Sequence, residues 1–181
     1  MIRSFRGKSP IIDPSAYIAE TATVIGDVEI GPRSSVWFGA VVRGDVFHIR
    51  IGAETSIQDN TVVHVTHGEF ATIVGDRVTV GHSVVLHGCT VRDRAIIGMG
   101  AIILDQAEVG ERCIIGAGAL VTPGTKIPAG HLAVGAPARV KRPLTEEELK
   151  WLDDSAAHYV ELCRLYREEA GADPEPPPSA G

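Results

Sequence analysis

Bulky rings are scarce in this chain. Its 181 residues hold four Phe, two Trp and three Tyr, so aromatics make up 5% of a sequence that is 44% hydrophobic. Ordinary globular cores lean on such rings, and their scarcity beside 20 glycines points to a repetitive, small-aliphatic β architecture. Cysteine is sparse too: Cys89, Cys113 and Cys163 are odd in number and unrelated in spacing, which argues against a disulfide framework. Positive charge is not in excess. A formal net charge of −6 leaves no electrostatic footprint for nucleic acid or anionic lipid. No apolar run approaches membrane-spanning length, and the opening MIRSFRGKSP lacks an apolar targeting segment. The expectation is one domain in a cytoplasmic, reducing setting, without membrane or nucleic-acid partners.

What the chain has is a period of six. Aliphatic residues recur at Ile12, Ile18, Val24, Ile30, Val36 and Val42, resume at Ile51, Ile57 and Val63, then at Val74, Val80 and Leu86, and continue from Val91 to Ile127. Glycine often follows, and the fifth position is small or β-branched, as at Ala22, Ser34, Ala40, Thr55 and Thr61. Six is even, so first and fifth positions of a strand share a face. A flat strand of such length is impossible, and the chain must turn at the glycines, stacking coils about 4.8 Å apart as a parallel β-solenoid. Grouped in threes, the coils start at residues 12, 30, 51, 74, 91, 109 and 127. Longer gaps after Val42 and Val63 predict loops leaving the solenoid.

Beyond residue 140, KRPLTEEELKWLDDSAAHYVELCRLYREEAG reads as one helix over 141–170, with Thr145 and Glu148 as a capping box. Leu149, Leu152, Ala156, Tyr159, Val160, Cys163 and Tyr166 form an apolar stripe expected to lie along a solenoid face. The proline-rich end, 171–181, is expected to be disordered.

Four of the seven histidines fall between Ile57 and Val91. His64 follows the inward Val63 and His87 follows the inward Leu86, so both rings point outward. The 23 residues separating them are one 18-residue coil plus a five-residue insertion, which stacks them in one column. Two imidazoles on a tetrahedral zinc need nitrogens about 3.3 Å apart, given Zn–N of about 2.0–2.1 Å. His82 sits at a corner one face away. It meets the other two only if several copies pack about a threefold axis.

NTVVHV and GHSVVLHGC, preceded by VVRGD and SIQD, resemble the γ-class carbonic anhydrases, hexapeptide-repeat proteins, over nearly the whole chain. The resemblance implies a left-handed β-helix of three hexads per coil and a homotrimer. Its Zn2+ would take His64 and His87 from one subunit and His82 from the next, with Fe2+ or Co2+ also suited to imidazole. It implies hydration of CO2 to bicarbonate, with Gln58 hydrogen-bonding the reacting solvent. Arg43, Asp45 and Asp59 would form an ion-pair network across the boundary, and Tyr159 would reach the site from the helix.

This chain departs from the family prototype in two places. Val46 stands where the prototype has glutamate, and the loop after His64 is short, with His67 in the place of a proton-shuttling acid. That pattern resembles a subclass in which many members bind metal with little or no activity. An acyl-CoA thioesterase, a hexapeptide acyltransferase or a non-catalytic metal-binding or assembly trimer are the alternative readings. Cys89 reads as a wall residue; His131 occupies a fifth position normally small and inward, on a last, partly open coil where it can face solvent, and His48 and His158 carry no signal.

Overall fold

Most hexads deliver a strand of two or three residues whose aliphatic first position turns inward, and three hexads complete a coil. A computed structural model describes residues 1–170 as a parallel solenoid of about seven coils with one helix alongside, the architecture of a left-handed β-helix. The segment 171–181, expected to be disordered, lies outside the described residues.

Three columns are visible in the strand register. One face stacks Ile12, Ile30, Ile51, Val74, Val91, Val109 and Ile127. The second stacks Ile18, Val36, Ile57, Val80, Ile97, Ile115 and Ala133. On the third, Val24, Val42, Val63, Leu86, Ile103 and Val121 lie one above another. The coil starts counted from the sequence are those of the fold.

Small fifth positions let the three faces approach closely, and Ala22, Ala40, Ala95, Ala101 and Cys113 are buried among the aliphatic columns. Where that position carries a hydroxyl, the neighbouring coil's backbone accepts its proton: Ser34 Oγ donates to Gly52 O at 2.7 Å, Thr55 Oγ1 to Gly75 O at 2.7 Å and Thr61 Oγ1 to Gly81 O at 2.9 Å. Buried hydroxyls are thus satisfied.

One expected loop has a different form. The residues added after Val42 extend a continuous strand, Val41–Ile51, which rounds a corner and pairs with Thr23–Ile30 through a register shift at Gly26/Val28. The second insertion does project, as a small turn closed by a Thr66–Phe70 bridge with Gly68 at φ 63°.

Lys141–Pro143 belong to a last strand, Arg139–Pro143, antiparallel to His131–Val134. Helix α1 spans Glu146–Ala170. Its start is a reciprocal cap in which Thr145 N donates to Glu148 Oε2 at 2.9 Å and Glu148 N to Thr145 Oγ1 at 3.2 Å. α1 runs back along the second face. Leu152 packs on Ile96 and Ile114, Ser155 Oγ meets Thr79 Oγ1 at 3.0 Å, and Arg167 donates to Pro14 O and Ser15 O at the far end. Five of the nine Phe, Trp and Tyr rings gather along its second half, where Trp37 meets Tyr17, Phe38, Tyr159 and Tyr166.

Candidate metal centre

The stacking register brings His64 beside His87. His64 Nδ1 lies 3.3 Å from His87 Nε2. The far nitrogen of each ring faces a carboxylate: His64 Nε2 is 3.0 Å from Asp45 Oδ1, and His87 Nδ1 is 2.7 Å from Asp105 Oδ1. If each carboxylate accepts the ring proton, the two nitrogens facing each other are both bare lone pairs. Such a pair attracts a cation, and its separation matches the edge of a tetrahedral zinc site.

The backbone around the pair is fixed by Thr72, returning from the projecting turn. Its hydroxyl donates to His64 O at 2.5 Å and accepts from Gly88 N at 2.9 Å. Below His64, Arg43 Nη1 holds Asp45 Oδ2 at 2.5 Å. Burial works to raise the Asp45 carboxyl, but His64 and Arg43 outweigh it and keep it below its ordinary value. Burial depresses the His64 imidazole, and the Arg43 charge adds to that against the pull of Asp45. The ring therefore favours its neutral, metal-competent form.

The remaining expected residues assemble at the adjacent corner. His82 Nδ1 lies 2.7 Å from Asp59 Oδ2, its side chain 48% exposed against 17% for His64. Gln58 is buried and lies near Tyr159 of α1, whose hydroxyl is raised by burial. These four line a cleft with Trp37, Phe38, Leu162 and Tyr166. His67 is exposed in the projecting turn. Val46 packs partly against the core. Cys89 is buried, its thiol pushed up to about 12, and forms wall.

Two groups of the expected residues result: Arg43, Asp45, His64 and His87 on the third face, and Gln58, Asp59, His82 and Tyr159 at the neighbouring corner. Among the described residues, no three His, Cys, Asp or Glu side chains come together within the chain as a metal-binding group. Asp105, Thr66 and Thr72 escaped the sequence reading. Hexad counting reveals columns, and Asp105 reaches His87 from the corner of the next coil.

A family model described as bacterial transferase hexapeptide (six repeats) matches residues 88–123. The chain is 47% identical over 167 residues to gamma carbonic anhydrase 2, mitochondrial, of Arabidopsis thaliana, a match covering 90% of this chain and 60% of that protein. It thus spans about three fifths of that relative. With a carbonic anhydrase of Geobacillus kaustophilus it shares 48% identity over 167 residues, covering 92% of this chain and 91% of that one. A solved hexapeptide transferase family protein from Anaplasma phagocytophilum has a TM-score of 0.88 at 45% identity, covering 91% of this chain and 97% of the other. Identity at this level over almost the whole chain decides the family: the chain belongs to the γ-class carbonic anhydrases of the hexapeptide-repeat fold.

Proposed function

We propose that the chain hydrates CO2 to bicarbonate reversibly at a zinc centre shared between copies of a homotrimer. His64 and His87 of one copy and His82 of the next are the ligands. The observation that carries this reading is the pair of imidazole nitrogens facing each other at 3.3 Å, with a carboxylate at the far nitrogen of each ring. Iron(II) or cobalt(II) suits the same donor set.

A threefold axis parallel to the solenoid keeps equal coil levels opposite each other. The corner of one copy then meets the third face of the next: Asp59 at the level of His64, His82 at that of His87, and Met99 at that of Ile102. Apolar exposure supports that contact, with Val62 39%, Ile102 37% and Met99 59% exposed on those two surfaces. The Arg43–Asp45 pair and the Asp59 carboxylate then form one network across the boundary.

A bound cation of this type supplies Lewis acidity that brings the pKa of water to about 7 and makes it a nucleophile at neutral pH. The chain's own residues do the rest. Gln58, in the cleft beside Tyr159, orients the reacting solvent, and Asp59 and Asp45 hold the His82 and His64 rings in place. His67, in the exposed turn, passes the released proton to buffer, a task suited to imidazole. Three free, buried cysteines fit the reducing environment of the cytoplasm.

Stopped-flow CO2 hydration on metal-quantified protein, run beside an acyl-CoA hydrolysis assay, tests the reading. Turnover of CO2 proportional to metal content is the expected result; thioester cleavage alone would replace it with the thioesterase. Val46, apolar and partly packed away, favours one second reading, a metal-binding trimer with little turnover. Stoichiometric metal without either activity would establish that one.

A further inference from the structure

We propose that Asp105 is a positioning residue for this centre, holding His87 in the tautomer that turns a bare Nε2 toward His64. The inference rests on the metal-centre reading above. Asp105 Oδ1 accepts from His87 Nδ1 at 2.7 Å, so the ring proton is kept on the side away from the centre. The same oxygen accepts from Thr66 Oγ1 at 2.9 Å, which fixes the carboxylate and ties the turn carrying His67 to the His87 ring.

Room for this contact is built into the backbone. Gly88, next to His87, has φ 57°, and a Cβ there would lie 2.2 Å from Asp105 Oδ1. Any side chain at position 88 would push the carboxylate off the ring. Asp45 plays the matching part for His64 at 3.0 Å, so each ring has its own carboxylate, contributed by a different coil. Removing such an orienting carboxylate weakens metal binding about 10- to 100-fold.

Two measurements on Asp105→Ala and Asp105→Asn test the proposal. Nitrogen-15 spectra of zinc-free protein read the His87 tautomer, and competition with a chromophoric chelator reads zinc affinity. Wild-type protein is expected to show protonated Nδ1. Asp105→Ala is expected to mix the tautomers and bind zinc 10- to 100-fold more weakly, while Asp105→Asn, which keeps an acceptor oxygen, restores most of the tautomer preference. Should Asp105→Ala not fold, Asp105→Ser, too short to reach the ring, is read in the same way. A truncated variant with the wild-type tautomer and zinc affinity overturns the proposal. If wild-type protein takes up no zinc, the metal-centre reading fails, while the tautomer still decides the part of Asp105.

Discussion

At the scale of single residues, chemistry is divided between atoms that face the centre and atoms that hold them there. In the proposed centre Gln58 belongs to the first group: it is 4% exposed and lines the cleft with His82 and Tyr159. Gln58→Ala is therefore expected to lower kcat/KM for CO2 about a hundredfold, as loss of an oriented hydrogen-bonding group does. Metal content should stay at the wild-type level, a result checked by elemental analysis of the same sample. Gly98 serves the stacking of the coils instead. A Cβ there would lie 2.5 Å from Ala117 N in the next coil, and a backbone atom cannot swing aside. Gly98→Ala is expected to cost about 1–3 kcal/mol, as overpacking does, measured by urea unfolding. The histidine column was legible because His64 and His87 are phased by the inward Val63 and Leu86. Asp105 was not, because it acts from a corner where side-chain direction follows no hexad rule.

The elements show where counting stops being sufficient. A period of six specifies each short strand, yet the residues added after Val42 stay within one strand that rounds a corner. An insertion in a count does not say whether the extra residues leave the sheet or bulge within it. For α1, helical spacing revealed the buried stripe, but the gathering of Tyr17, Trp37 and Tyr166 depends on which face the helix chooses. Leu152, buried against Ile96 and Ile114, anchors the start of that docking. Leu152→Ala is expected to cost about 2–5 kcal/mol in chemical denaturation. The cap of α1 is sensitive to pH. The Arg142 guanidinium, with help from Thr145 N, holds the Glu148 carboxyl down at about 2. A depressed carboxylate stabilises the fold above its unfolded value and loses that contribution as pH falls through its folded value. The difference in Tm between wild type and Glu148→Gln should thus be full at pH 6 and shrink from about pH 4.5 toward pH 2.

For the whole molecule, the proposed centre requires a trimer, because among the described residues no three potential metal ligands come together within one chain. The exposed Val62 and Ile102 on one surface and Met99 on the other would face each other in that proposed trimer. A charge in either place should separate the copies: Met99→Asp or Ile102→Asp is expected to sediment as a monomer, keep its β-sheet circular dichroism and lose its metal. The central claim is tested most directly by mixing. His82→Ala and His64→Ala each lack a ligand at every boundary of their own homotrimers. Co-assembled from unfolded chains, however, they form mixed trimers in which an intact corner meets an intact face. The account predicts little zinc in either variant alone and a clear gain in zinc per chain in the mixture. A mixture as metal-poor as its components, or full zinc occupancy in His82→Ala alone, would contradict it.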